Sequence, residues 1–331
     1  MQLSNAIASA ISQKSFELIL LPTEQCNFRC FYCYEDFKLK AMKRSTIDAV
    51  KNFITRRGDL DHFSISWFGG EPMLALPIIE EISDHVKSLV DQGQFKKFQS
   101  AITTNGFFLS NDNLDTLYKS GVKKFQITLD GDKEIHDSLR KDSKGRGTFD
   151  SIWAHLENIK RRTDLLDLEV YLRLHYQPST ASSIKDFVPK IDSAFLDDSR
   201  FKLLFHSVEP LGGPNDRILK QMSGAEKFQL EAEFRQLMLH GRQLAKSFIQ
   251  PDGVYICYAA KTNSLIIRSD GSLAKCTVAL SDTRNSVGTL HTDGSLVVDG
   301  KKMTVWIDNL KSKDLKQLAC PYSFMKKAST S

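Results

Sequence analysis

The alternation of strand-like and helix-like segments along the first two-thirds of the chain constrains its fold most strongly. Segments rich in β-branched and aromatic residues are residues 15–23, 62–70, 97–106, 123–131, 168–178 and 201–210. The stretches between them carry apolar residues at three- and four-residue steps, as amphipathic helices do. Strands that alternate with helices pair in parallel through right-handed connections. We therefore predict an α/β fold with a partial (β/α)6 TIM-like barrel. An open doubly wound sheet is the alternative.

The pattern changes near residue 250, where Pro251-Asp252-Gly253 marks a break. A long amphipathic helix is predicted before it, over residues 223–248. After it, residues 262–280 have the pattern of a β-hairpin with Asp270-Gly271 at the turn. We predict a core domain over residues 15–250 and a small hairpin-based module over residues 251–325.

The composition argues against several classes of partner. The chain has 331 residues, and its 45 basic residues are interspersed with 40 acidic ones instead of forming a basic stripe, so we expect no nucleic-acid partner. No apolar run approaches the roughly 20 residues that span a bilayer. The N-terminal segment lacks the basic region that precedes the apolar core of a secretory signal. We expect a cytoplasmic protein without a membrane partner.

The cysteines fall into two groups of three. Cys26, Cys30 and Cys33 lie close together with the spacing C-x3-C-x2-C, and Cys257, Cys276 and Cys320 are spread over the last quarter of the chain. A zinc site needs four ligands, and no histidine lies near the first group. Three thiolates on one loop suit three irons of a [4Fe–4S] cluster, whose fourth iron stays open to a small chelating molecule. A zinc site and free thiols are the alternatives.

Three motifs resemble those of one enzyme family. The cysteine loop TEQCNFRCFYCYEDF has the aromatic Tyr32 before its last cysteine, residues 67–72 read WFGGEP, and Thr128-Leu129-Asp130-Gly131 precedes His136-Asp137 and Arg140. This set resembles the radical S-adenosylmethionine enzymes, in the branch of the peptide-modifying and anaerobic sulfatase-maturing enzymes. The resemblance implies that the open iron binds S-adenosylmethionine, and that one electron cleaves it to a 5′-deoxyadenosyl radical, which abstracts a hydrogen from the substrate.

The resemblance also implies roles for individual residues in binding S-adenosylmethionine. Besides Tyr32, the implied binding residues are Gly69, Gly70, Glu71, Thr128 and Arg140. Glu71 would accept from the methionyl ammonium, and Arg140 would hold the carboxylate. Two alternatives stay open. Arg140 could form a surface ion pair, and Thr128 could be an ordinary strand residue.

The C-terminal cysteines resemble the auxiliary-cluster extensions of the same family, which are called SPASM and twitch domains. Thirteen residues separate Cys257 from Gly271, and four more separate Gly271 from Cys276. Together with Cys320, the resemblance implies that the module over residues 251–325 is an iron–sulfur module, which holds an auxiliary [4Fe–4S] cluster with three thiolate ligands. Its fourth iron is open or is held by another residue, and His291 is the one histidine in the module. The alternative is that these cysteines are small buried side chains.

One departure limits the choice of reaction. Sulfatase-maturing relatives have an aspartate base directly after the second cysteine of this pattern, and this chain has Thr277 there. A sulfatase maturase is therefore disfavoured, and the catalytic base is unassigned, with His206, Glu209 and Asp216 as candidates by position.

The resemblance implies that the enzyme modifies a ribosomally made peptide by crosslinking, oxidation or epimerisation. Its partners would be a precursor peptide and an electron donor such as flavodoxin or ferredoxin. A small-molecule radical dehydrogenase and a non-catalytic iron–sulfur or zinc scaffold are the alternatives.

Overall fold

The computed structural model describes residues 2–58, 60–240 and 254–328. The chain forms two compact units: the first contains residues 1–25, 36–101 and 252–331, and the second contains residues 26–35 and 102–251. The break predicted at residues 251–253 lies outside the described residues. No helix in the described part of the chain is long and apolar enough to cross a bilayer.

Twelve strands are present in the described residues. In chain order they are β1 (Ser15–Thr23), β2 (Phe28–Cys30), β3 (Leu60–Gly69), β4 (Phe95–Thr104), β5 (Val122–Leu129), β6 (Arg140–Asp142), β7 (Glu169–Tyr176), β8 (Phe201–Ser207), β9 (Ser264–Ile267), β10 (Ser272–Ala274), β11 (Gly288–Leu290) and β12 (Leu296–Val298). The predicted strands correspond to β1, β3, β4, β5, β7 and β8. All six predictions are confirmed.

Helices connect these strands. They are α1 (Gln2–Ala10), α2 (Arg44–Arg56), α3 (Leu76–Asp91), α4 (Asn111–Lys119), α5 (Lys133–Leu139), α6 (Phe149–Arg161), α7 (Ala181–Phe195), α8 (Gly224–Gln236), α9 (Gly300–Ile307), α10 (Asn309–Ser312), α11 (Leu315–Ala319) and α12 (Pro321–Ala328). Short 3-10 turns lie at Pro72–Ala75, Asp216–Ile218, Tyr258–Ala260 and Thr283–Asn285.

In the first unit, β1 is the strand around which the sheet is built. It pairs in parallel with β3 on one side and with β9 on the other. Seven of its nine residues are buried, as expected for a parallel strand that is covered on both faces. The predicted hairpin is confirmed, because β9 and β10 pair antiparallel and Gly271 at the turn has a φ of +87°. Strands β11 and β12 continue this antiparallel part of the sheet.

In the second unit, β5, β7 and β8 pair in parallel. Alternate residues of these strands face the helices and form the core, among them Ile127, Leu172 and Leu203. The opposite face carries polar side chains at alternate positions, because successive side chains of a strand point to opposite faces. This polar face is where several site residues lie.

The helix predicted over residues 223–248 is shorter than expected in the described part of the chain. It begins after the capping box of Ser223 and ends at Gln236. The buried carboxylate of Asp192 accepts from the backbone N–H groups of Leu239 at 2.8 Å and His240 at 2.9 Å. These amides therefore bond outside a helix, and the prediction was wrong for residues 237–240. Residues 241–248 lie outside the described residues.

Candidate functional site

The cysteine loop, residues 26–35, is attached to the segment around Arg140 by a two-stranded antiparallel ribbon. Strand β2 pairs with β6 so that Cys30 lies opposite Arg140. Two more backbone bonds extend the ribbon, from Phe31 N–H to the carbonyl of Leu139 at 2.8 Å and from Ser143 N–H to that of Asn27 at 2.8 Å. The ribbon holds the loop against the residues that follow β5.

Neighbouring donors face the first cysteine of the loop. The backbone N–H of Phe28 lies 3.3 Å from Cys26 Sγ, and the Asn105 side-chain amide, at the end of β4, lies 4.0 Å from it. Burial raises the pKa of Cys30, and it raises the pKa of Cys33 to about 12. A bound iron would hold these sulfurs as thiolates against that tendency.

The donor set of the loop consists of three thiols, the ligand type that iron–sulfur clusters take. Among the described residues, no three His, Cys, Asp or Glu side chains converge on one metal-ion position. A cubane gives each thiolate its own iron, so its ligands need not converge on one point. The three free thiols of the loop are all half-buried, and each could bind one iron of such a cluster.

The hydroxyl of Tyr32 is the centre of a buried polar network. It lies 2.7 and 2.9 Å from the two carboxylate oxygens of Asp130, 2.8 Å from Arg140 Nη1 and 3.0 Å from His175 Nδ1. A phenol has one proton, and the carboxylate can only accept it. Tyr32 therefore donates to Asp130 and accepts from Arg140 and His175. The loop tyrosine, the residue after β5, the ribbon arginine and a β7 histidine are thus joined at one atom.

Burial shifts the pKa of each group in this network. Asp130 is 1% exposed, and burial raises its pKa to about 6. Burial alone would lower the pKa of Arg140, but the charges of Tyr32, Cys30 and Asp130 keep it above its ordinary value. Burial and then the nearby Arg173 lower the pKa of His175 well below 6.5. His175 is therefore a neutral imidazole at pH 7.

Two buried nitrogen atoms of this network have no hydrogen-bond partner in the described residues, Arg140 Nε and His175 Nε2. A native protein rarely leaves such atoms unsatisfied unless a ligand or water completes them. Arg140 Nε therefore fits the carboxylate of S-adenosylmethionine, the role that the family resemblance implies for this residue. Thr128, another of the implied binding residues, lies on β5 opposite Arg173 of β7.

Other residues of the same motif shape the scaffold. His136 is buried, with Nδ1 3.4 Å from the Asp130 backbone nitrogen and Nε2 3.1 Å from Thr148 Oγ1. Asp137 accepts from the backbone N–H groups of Thr148 at 2.7 Å and Phe149 at 2.9 Å. These contacts fix the turn after β5 and the start of α6.

The three candidates for a catalytic base have structural contacts of their own. His206 Nδ1 donates to the Ser207 carbonyl at 2.8 Å. Glu209 forms an ion pair with Lys227 and accepts from Ser207 Oγ at 2.6 Å. Asp216 accepts from the backbone N–H groups of residues 212 and 213. Their assignment as bases stays a prediction.

The loop that Asp216 organises packs closely on the cysteine loop. A Cβ at Gly213 would lie 2.5 Å from the carbonyl oxygen of Cys33. Asn215 donates to the carbonyl oxygen of Phe31 at 2.6 Å. The glycine and the amide thus fix the backbone on which the last cysteine stands.

The Gly-Gly-Glu motif lies in the first unit, at the end of β3. Gly69 has a φ of +122° and pairs with Thr23 of β1, and a Cβ at Gly70 would lie 2.5 Å from the Gln25 carbonyl oxygen. The close approach of two backbone segments therefore requires both glycines. Glu71 is fully buried, and its Oε1 accepts from the Met73 backbone N–H at 3.0 Å. The motif thus has a structural role, whatever it also binds.

The C-terminal cysteines belong to the first unit, around the β9–β10 hairpin. Burial raises the pKa of Cys276 to about 12, and the charges of Cys257 and Cys320 raise it as well. The Cys257 backbone N–H bonds the Leu318 carbonyl at 2.9 Å. This contact joins the hairpin region to the helix before Cys320.

The residues around Cys276 are held by side chains of the same unit. Asn285 Oδ1 accepts from the backbone N–H of Lys275 at 2.8 Å and from that of Cys276 at 2.9 Å. Thr277 Oγ1 lies 2.7 Å from the Tyr258 hydroxyl. His291, the candidate fourth ligand, lies in the turn between β11 and β12 with an exposed side chain. The auxiliary cluster and its ligands stay a prediction.

Comparison with solved structures identifies the fold. The protein anSMEcpe, with bound AdoMet and a Cp18Cys peptide, superposes with a TM-score of 0.65 at 18% identity, over 92% of this chain and 83% of that one. Streptococcus suis SuiB, bound to precursor peptide SuiA, superposes with a TM-score of 0.60 at 15% identity, over 93% and 68%. These are radical SAM folds, which contain a partial TIM barrel. The predicted fold class is confirmed.

Comparison with known sequences identifies the domain. Residues 20–173 match the Radical SAM superfamily, so the chain carries a radical SAM domain. A cysteine-type anaerobic sulfatase-maturating enzyme of Clostridium novyi is 27% identical over 45% of this chain and 41% of that protein. A GTP 3′,8-cyclase of Microcystis aeruginosa is 31% identical over 42% and 41%. The matched region spans less than half the length of either relative.

Proposed function

We propose that this protein is a radical SAM enzyme that modifies a ribosomally made peptide. The observation that carries the proposal is the cysteine loop, whose Tyr32 hydroxyl joins Asp130, Arg140 and His175. Cys26, Cys30 and Cys33 would hold the S-adenosylmethionine-binding [4Fe–4S] cluster. When bound, the cluster and S-adenosylmethionine supply a 5′-deoxyadenosyl radical that takes a hydrogen atom from the substrate.

The chain's own residues would orient the cofactor and exclude water from it. Arg140 Nη1 donates to the Tyr32 hydroxyl, whereas Arg140 Nε has no hydrogen-bond partner in the described residues. The guanidinium is therefore held in position before the cofactor binds. A preorganised guanidinium loses little entropy on binding a carboxylate. The buried apolar side chains on the other face of β5 and β7 exclude water from that side of the sheet.

Two comparisons support a peptide as the substrate. A relative is named as a sulfatase-maturating enzyme, and two structures with this fold hold peptides. Thr277 replaces the aspartate base of the sulfatase-maturing pattern and bonds Tyr258 instead. We therefore propose a peptide modification other than sulfatase maturation.

The test has two stages. Anaerobically reconstituted protein should form 5′-deoxyadenosine from S-adenosylmethionine under reducing conditions. The control in which the three cysteines of the loop are replaced by alanine should form none. Co-expression with neighbouring small open reading frames, followed by mass spectrometry, should then reveal a precursor peptide with a changed mass. Absence of 5′-deoxyadenosine in the reconstituted protein would leave the non-catalytic scaffold as the explanation.

A small-molecule substrate is the second candidate, because GTP 3′,8-cyclases are among the relatives. One of them, from Rhodopirellula baltica, aligns at 24% identity over 84% of this chain. Incubation with GTP should leave the nucleotide unchanged if the peptide proposal is correct. A new product formed from GTP would favour a small-molecule substrate. Oxidation of a small-molecule alcohol would favour it as well.

A further inference from the structure

Arg173 on β7 has no contacting anion among the described residues, and the carboxylate of Asp130 interacts with it only through its charge. In the described residues it forms neither a hydrogen bond nor an ion pair, although its side chain is half-buried. By contrast, Arg140, Arg162 and Arg200 all bond to neighbouring groups. A half-buried guanidinium normally finds a carboxylate or carbonyl, because burial of an unpaired charge is costly. Arg173 is therefore suited to bind an anionic group from outside the chain.

The surroundings of Arg173 define what lies next to that group. His175 is two residues further along the same face, about 7 Å away along the strand. His206 of β8 lies opposite His175, with 5.6 Å between the ring centroids. One guanidinium and two imidazoles thus share the polar face of the β5–β7–β8 sheet.

The hydrogen bonds of both histidines fix their free nitrogen atoms as acceptors. His175 Nδ1 must donate to Tyr32, whose own proton goes to Asp130. His206 Nδ1 must donate to the Ser207 carbonyl. A neutral imidazole has one N–H, so Nε2 of each ring presents a lone pair. A group that reaches these atoms must bring an N–H or O–H donor.

We propose that Arg173 binds a substrate carboxylate and that His175 Nε2 accepts from a peptide N–H next to it. The substrate class is therefore a peptide whose reacting region contains its C-terminal carboxylate or an aspartate, since both place a carboxylate near a backbone N–H. That this ligand is a substrate rests on the proposed function. The binding geometry rests only on the contacts of Arg173, His175 and His206.

Small probes separate the two contacts, and binding to the reconstituted protein saturated with S-adenosylmethionine can be measured by calorimetry. N-acetylglycine carries both the carboxylate and the N–H. N-acetylglycinamide lacks the carboxylate, and levulinate replaces the N–H by a methylene group. N-acetyl-aspartic acid α-amide distinguishes an aspartate from a C-terminus. N-acetylglycine or the aspartate probe should bind at least about tenfold more tightly than N-acetylglycinamide, which lacks the carboxylate, and than levulinate, which lacks the N–H.

Variants assign each preference to a residue. Arg173→Gln should abolish the preference for the carboxylate over the amide, and Arg173→Lys should restore part of it because the charge returns without the planar fork. His175→Phe should abolish the preference for N-acetylglycine over levulinate. The matched control is Arg161→Gln on α6, whose guanidinium is 65% exposed. Its binding profile should equal that of the wild type.

Three results would overturn the proposal. The first is an unchanged carboxylate preference in Arg173→Gln. The second is tighter probe binding to reconstituted protein without S-adenosylmethionine than to the saturated protein, which would mean that Arg173 holds the cofactor's own carboxylate. The third is binding of inorganic phosphate in preference to the carboxylates. 5′-Deoxyadenosine formation is measured on the same samples. Its failure would refute the proposed enzyme and leave the probe result intact.

Discussion

The substitution Gly70→Ala adds a single methyl group, and it tests why two glycines precede Glu71. A Cβ at Gly70 would lie 2.5 Å from the carbonyl oxygen of Gln25 and 2.8 Å from that of Glu24. Both obstacles are backbone atoms of the two residues that directly follow β1, and β1 is paired with β3 along most of its length. Neither can rotate away as a side chain can, so the strand ends must separate.

The magnitude follows from that geometry. Overpacking in a rigid part of a protein costs about 1–3 kcal/mol, and backbone obstacles place Gly70→Ala near the upper end, at about 3 kcal/mol. Gly93→Ala is the matched control in the same unit. Gly93 has a φ of +77°, but no atom lies within 4 Å of the position that an added methyl group would take, so this variant should lose only about 1 kcal/mol.

Guanidinium unfolding of the anaerobic protein measures both variants, since the midpoint falls in proportion to the free energy of unfolding at constant slope. S-adenosylmethionine affinity is measured in parallel. If the glycines serve only the approach of the cofactor, Gly70→Ala would keep the wild-type midpoint and lose affinity. That result would refute the packing explanation.

Three further predictions follow from the site. Reconstituted protein should carry about eight irons in two [4Fe–4S] clusters, and the variant with Cys26, Cys30 and Cys33 replaced by alanine should carry about four. Stoichiometric zinc without iron–sulfur absorption would contradict both clusters. Arg140→Ala and Glu71→Ala should each weaken S-adenosylmethionine binding about ten- to a hundredfold while iron content is retained, and unchanged affinity would remove that residue from the site. Because burial raises the pKa of Asp130 to about 6, the folded state holds this proton after the unfolded state has lost it. Stability should therefore fall by about 2 kcal/mol as pH rises from about 4.5 to 6.5, and Asp130→Asn should flatten that slope in urea titrations; an equal slope in the variant would refute the assignment.

The parallel strands, the hairpin turn and the cysteine loop could be predicted from the sequence because each has a local signature. Strand periodicity and the Asp270-Gly271 turn are properties of neighbouring residues, and the structure confirms both. Helix α1 and the β2–β6 ribbon were missed. Each ribbon strand has three residues, too few for a periodic pattern, and the ribbon forms through pairing between segments about a hundred residues apart.

The Tyr32 network was missed for a different reason. Asp130 and Arg140 belong to a motif that is recognisable in the sequence, but their shared contact is a single hydroxyl oxygen. His175 has no motif around it. Only the pairing of β7 next to β5 brings it to the loop tyrosine, and such register is not encoded in any short window of sequence.

A signal for the polar face did exist in the sequence of β7. A parallel strand covered on both faces reads as a continuous apolar run, as β1 does in SFELILLPT. Strand β7 instead reads EVYLRLHY, in which apolar residues alternate with Glu169, Tyr171, Arg173 and His175, and its burial alternates with them. Alternation in a strand that the βαβ pattern makes parallel means that one face is not packed against apolar side chains. In a partial barrel that face points inward, so charged residues at alternate positions of a predicted parallel strand indicate a ligand-binding interior from the sequence alone.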